Sequence, residues 1–191
     1  TDGEIGCSAS HKALWIETYK RELGMLILED DVTTHPDLNQ YIDENYHLFM
    51  ASDIVLFSTN TNTGLETVSP EGIHSINVYS NQHPNKDWID SVLSKTKLES
   101  VKNFKVIKSL GMAAYFISPK GAQKMEKLIF PLTYNPVAVP TNSKMLATTQ
   151  DRAANRYYSQ LDAFITLPFL AYTSNIDSTT LFQSREQNKD I

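Results

Sequence analysis

Met25-Leu26-Ile27-Leu28-Glu29-Asp30-Asp31-Val32 carries four apolar residues without a break into three carboxylates. A short continuous apolar run predicts a strand buried on both faces, the kind found in a parallel sheet. Its acidic end would lie at the strand's carboxyl edge, where open α/β sheets bind ligands. Three adjacent carboxylates repel one another unless a cation joins them, and hard divalent ions such as Mg²⁺ or Mn²⁺ prefer oxygen ligands. The stretch therefore reads either as a metal site for a phosphorylated substrate or as a solvated acidic turn after a core strand.

Working outward, residues 4–23 predict a helix that Gly24 would stop, with Ala9, Ala13, Ile16, Tyr19 and Leu23 as its apolar stripe. Downstream, His35-Pro36-Asp37 opens a second helix, whose face is traced by Leu38, Tyr41, Ile42 and Phe49. Residues 52–57 form another short apolar run, expected as a second parallel strand. Residues 59–69, rich in Thr, Asn and Gly, read as a loop, and 74–79 as a half-exposed strand. A helix over 87–98, strands over 104–108 and 111–118, and a helix opened by Pro119 follow. Prolines break up 130–140, and 143–165 again looks helical. Alternating helices and buried strands predict an α/β fold: a Rossmann-type mixed, mostly parallel sheet flanked by helices. Residues 1–172 are expected to form a single domain and 173–191 a polar tail.

Composition narrows the function. A chain of 191 residues suits one domain, and its net charge of −5 provides no basic field for nucleic acid. The single cysteine, Cys7, excludes an intrachain disulfide. No apolar run approaches the roughly 20 residues of a membrane-spanning helix.

Three separated stretches carry a resemblance. Gly3-Glu4-Ile5-Gly6-Cys7 with Ser10-His11 resembles the first signature of glycosyltransferase family 25, the lipooligosaccharide-type galactosyl- and glucosyltransferases. Leu26-Ile27-Leu28-Glu29-Asp30-Asp31-Val32 is similar to that family's acidic strand end, and residues 111–122 resemble its Ile-Ser-Pro-Lys-Gly-Ala segment. The three occur in the family's order and span about the first 122 residues; the last third matches poorly. The resemblance implies a GT-A-like fold and transfer of a sugar, galactose above all, from a UDP-sugar to a glycan acceptor such as lipooligosaccharide. It also implies Mn²⁺ or Mg²⁺ as cofactor, and work at the cytoplasmic face of the inner membrane as a peripheral protein. Carried over by position, Asp31 is the first choice of metal ligand, with Glu29 beside it. Asp30 and Glu29 would face the ribose or the second coordination shell, and Ser10 and His11 the diphosphate or a sugar hydroxyl. The family's first strand would precede Gly3, so a front segment is expected to be missing.

Sugar transfer with inversion needs a carboxylate to take the acceptor's proton. Asp162, in Leu161-Asp162-Ala163-Phe164, is the first candidate and Asp151 its competitor; both also read as exposed helix acids. Cys7 reads as a small buried residue rather than a nucleophile. His35, His47, His74 and His83 show no metal-ligand spacing, so none predicts a zinc site. A non-catalytic glycan-binding member of the fold remains the alternative. An unrelated phosphotransfer enzyme is disfavoured because no Gly-rich phosphate loop is present.

Overall fold

The computed structural model describes residues 1–79 and 84–174. Its centre is a seven-stranded sheet built from β1 (Met25–Leu28), β3 (Ile54–Leu56), β4 (Gly64–Val68), β5 (His74–Val78), β6 (Lys102–Lys108), β7 (Ala114–Ile117) and β10 (Ala163–Leu167), in the order β1-β7-β3-β10-β6-β4-β5. Two small antiparallel pairs complete the strands: β2 (Val32–Thr34) with β11 (Ala171–Thr173), and β8 (Pro136–Ala138) with β9 (Lys144–Leu146). The helices are α1 (Asp2–Arg21), α2 (Leu38–Glu44), α3 (Tyr46–Ala51), α4 (Lys86–Lys95), α5 (Pro119–Ile129) and α6 (Gln150–Ala154).

The α/β class holds, but the expected mostly parallel sheet does not. Only β3 and β10 pair in parallel; every other neighbour in the sheet is antiparallel. The apolar runs misled because they report that both faces are covered, not which way the neighbours run. Alternate residues along β3 enter different cores, as a pleated strand requires. Ile54 and Leu56 join Trp15, Tyr115, Ile117, Met125 and Ile165 beneath α1 and α5. Val55 and Phe57 join Leu38, Tyr41, Phe49, Ala114 and Phe116 beneath α2 and α3.

The strand expected to be buried on both faces, β1, is at the sheet's edge with β7 as its one partner in the sheet. Ile27 is buried, whereas Leu28 is 45% exposed. Helix α1 also departs from its predicted face. Ser8, His11, Trp15 and Thr18 point inward, while Ala9, Ala13 and Leu23 are exposed. Polar partners decide this orientation: Trp15 Nε1 donates to Tyr115 Oη at 2.8 Å, and Ser8 Oγ to Gln150 Oε1 at 2.7 Å. The helix ends at Glu22, which adopts the left-handed conformation with φ 57°. Gly24 serves packing instead, since a Cβ there would come within 2.2 Å of the Phe116 ring.

Two further expectations fail for local reasons. The loop expected over 59–69 contains β4, because Glu66, buried in that strand, is paired by His74 at 2.8 Å and Lys108 at 3.0 Å. The helix expected over 143–165 is broken into β9, α6 and β10. Thr173, assigned to the tail, is buried at the end of β11; residues 175–191 of that tail lie outside the described residues.

Candidate functional site

Antiparallel packing of α1 on the sheet brings the helix's first half to the carboxyl end of β1. Leu28 pairs with Ala114, and the amide of Glu29 donates to the Ala113 carbonyl at 2.8 Å, which aims the acidic turn off the sheet edge. The three acids then part company. Glu29 turns to α1, where its Oε1 lies 3.3 Å from His11 Nε2 and 4.0 Å from Cys7 Sγ. Asp30 is exposed. Asp31 turns toward β11: its Oδ2 accepts a hydrogen bond from the Thr173 hydroxyl, while Oδ1 is buried with no hydrogen-bond partner.

His11 is 4% exposed and held from both sides. Its Nδ1 lies 2.7 Å from Tyr115 Oη, a hydroxyl already accepting from Trp15, and the two rings stack with centroids 5.7 Å apart. Burial opposes a charge on this imidazole, but hydrogen bonds and charge from Cys7 and Glu29 outweigh it and raise the pKa to about 9. The Asp31 carboxyl is also raised, chiefly by burial and further by the charges of Glu29 and Asp30, with the Thr173 hydrogen bond opposing.

Short α6 closes this edge from the far end of the sequence. Gln150 Nε2 approaches Cys7 Sγ at 3.6 Å, and the Thr148 hydroxyl donates to Glu4 at 3.2 Å. Asp151 accepts from the Gly111 amide at 2.9 Å and from the Thr149 hydroxyl, so it clamps the turn that leads into β7. Asn155 holds the same turn through Ser109, donating to its carbonyl at 2.7 Å and accepting from its amide at 3.0 Å.

Of the residues singled out from sequence, His11, Glu29, Asp30, Asp31 and Asp151 thus belong to one edge. Ser10 is exposed on α1, its hydroxyl bonded back to the Gly6 carbonyl at 3.0 Å. Asp162 stands at the opposite end of the sheet. Its carbonyl accepts from the Asp53 amide at the start of β3, level with Met25 rather than Leu28. The length of β1, roughly 10 Å at about 3.3 Å per residue, therefore separates it from the acidic turn. Buried Asp53 fixes it there, accepting from the Asp162 amide at 2.9 Å and from Lys124 at 2.8 Å. Cys7, Tyr115 and Gln150 were not anticipated as site residues; the spacing of Cys7 and His11, four apart on one helix face, was the one available signal.

A surface groove of about 1090 Å³ lies beside α2 and is lined by His35, Tyr41, Thr96 and Lys102 among others. None of the three acids borders it, and among the described residues the one trio of metal-ligating side chains is at the acidic edge, the candidate site. Among the described residues no helix is long and apolar enough to cross a membrane. The family model of glycosyltransferase family 25, described as LPS biosynthesis protein, matches residues 1–141. No curated protein matches the chain.

Proposed function

Because the chain belongs to glycosyltransferase family 25, we propose that its acidic edge binds a UDP-sugar and transfers the sugar, galactose in the simplest case, to a glycan acceptor of the lipooligosaccharide type. The observation that carries this reading is Asp31 Oδ1, a buried carboxylate oxygen with no hydrogen-bond partner. Such an oxygen is costly unless something meets it, and a hard divalent ion on a nucleotide diphosphate needs only one or two protein carboxylates. Mn²⁺ or Mg²⁺ fits here with Asp31 as ligand and exposed Asp30 beside it. When bound, the ion would neutralise the charge that develops on the departing diphosphate.

The chain's own residues supply the rest of the proposal. The sugar centre passes through an oxocarbenium-like state, and with inversion the acceptor hydroxyl attacks from the face opposite the diphosphate. Asp151 is retained as the group that takes its proton, being at the acidic edge with about half of a carboxylate's acceptor sites still available. Asp162, at the opposite end of the sheet, is less suited. A lipid-borne acceptor would place the protein peripherally at the cytoplasmic face of the inner membrane.

Calorimetric titration of UDP with and without Mn²⁺, on the native chain and on Asp31→Ala, tests this reading. Mn²⁺-dependent binding that the substitution abolishes is expected. Binding indifferent to both would overturn it.

A further inference from the structure

We propose that Cys7, His11 and Glu29 form a second metal site, specific for Zn²⁺ and distinct from the hard-cation position at Asp31. It goes beyond the transferase reading and does not depend on it. One ligand atom from each residue, the Cys7 sulfur, a His11 ring nitrogen and a Glu29 oxygen, lies within 4.8 Å of both others, the one such trio of His, Cys, Asp and Glu among the described residues. Cys7 and His11 are four apart on α1, so they project from one helix face, and Glu29 enters from the end of β1.

The geometry fits zinc more closely than a hard ion. Tetrahedral Zn²⁺ with bonds of about 2.1 Å to nitrogen and oxygen would hold those two atoms about 3.4 Å apart; His11 Nε2 and Glu29 Oε1 are separated by 3.3 Å. The sulfur lies 4.0 Å from Glu29 Oε1 and within 4.8 Å of the His11 ring nitrogen, so it needs to close by up to about 1 Å to sit 2.3 Å from the ion. Thiolate and imidazole together select zinc over Mg²⁺ or Mn²⁺.

Outer partners are already in place. With Nε2 on the metal, His11 Nδ1–H donates to Tyr115 Oη, whose second acceptor position is taken by Trp15 Nε1–H. Gln150 Nε2 donates to the Cys7 sulfur at 3.6 Å and is itself held by Ser8. Binding releases the thiol proton of Cys7 and any proton on His11 Nε2 to solvent, with no change of oxidation state. Three protein ligands leave a fourth position for water or a substrate oxygen, and the Glu29 side chain is 34% exposed there.

The test uses the chain's only cysteine. Any thiolate-to-metal charge-transfer band in the Co²⁺-loaded protein must come from Cys7. We expect about one zinc per chain after purification without chelator, a near-ultraviolet band in the cobalt form of a monomeric chain, and protection of Cys7 from alkylation that a chelator removes. Cys7→Ser should abolish band and stoichiometric zinc. Tyr115→Phe, which removes only an outer partner, should weaken zinc binding about 10- to 100-fold. Asp31→Ala should leave zinc unchanged, which separates this site from the nucleotide reading. A folded native chain that binds no zinc, or binds it without the cobalt band, overturns the proposal and leaves a hydrogen-bonded cluster only. If Cys7→Ser fails to fold, the alkylation and cobalt measurements on the native chain decide alone.

Discussion

At the scale of single residues, His11 has its pKa raised from 6.5 to about 9 in the absence of metal. The groups facing it are Cys7, Glu29 and Tyr115. A folded-state value above the unfolded one means that protonation stabilises the fold. The contribution is complete below pH 6.5 and disappears as pH rises through about 9. Chelator-treated protein should therefore lose on the order of 1–3 kcal/mol over that window relative to His11→Gln, measured as the difference between their urea midpoints. A flat difference would mean that His11 is neutral throughout. Tyr115→Phe tests the same network from the other side. It strands the Trp15 N–H and one His11 nitrogen in a buried setting, which should cost roughly 2–4 kcal/mol; a loss under about 0.5 kcal/mol would mean that Tyr115 is only packing. The acidic strand end and His11 were legible in the sequence because they are local. Cys7 was undervalued because its partners, Glu29 and Gln150, are 22 and 143 residues away.

Among the elements, the seating of α5 on β3 makes the sharpest demand on sequence. Ser118 caps the helix, accepting from the Gly121 amide at 3.1 Å while its own hydroxyl donates to the Ser52 carbonyl at 2.6 Å. A Cβ on Gly121 would lie 1.8 Å from the Asp53 carbonyl oxygen, a backbone atom that cannot swing away. Helix propensity favours Ala over Gly by about 1 kcal/mol, but displacing the helix from the strand costs more, typically 1–3 kcal/mol and here toward the upper end. Gly121→Ala should therefore be destabilising by at least about 1 kcal/mol in urea unfolding; a stabilised variant would show that α5 does not approach β3 this closely. Elements with a strong period, α4, α5, β6 and β7, were readable within a few residues. Those whose burial depends on distant partners were not. Polar β4 reads as loop until His74 and Lys108 are seen to partner Glu66. Likewise β10 reads as helix because the spacing of Leu161, Phe164 and Ile165 fits either period over so short a span.

For the molecule as a whole, the consequence of one sheet shared by two cores is cooperativity. Strand β3 sends Ile54 and Leu56 to one core and Val55 to the other, where Phe57 just beyond its end joins it, so neither core can dissolve without removing a face of the other's strands. The expectation of a single unit over residues 1–172 thereby becomes measurable. Phe49 is fully buried in the core beneath α2 and α3, against Tyr41, Phe57 and Phe116. Its replacement by Ala should cost about 3–5 kcal/mol, through lost burial and the cavity left behind. Trp15 lies in the opposite core beneath α1, fully buried and packed edge-on against Phe130. If the sheet couples the cores, Phe49→Ala in a Trp88→Phe background, which leaves Trp15 as the one tryptophan, moves the fluorescence transition by the same amount as the far-ultraviolet transition. At about 2–4 °C per kcal/mol for a chain of this size, the shared shift would exceed roughly 6 °C. Were the Trp15 signal to hold its native midpoint while secondary structure melted early, the two faces would be separate folding units. The Cys7, His11 and Glu29 part of the acidic edge would then owe its geometry to the α1 and α5 face, and Asp31, held by Thr173 of β11, to the other.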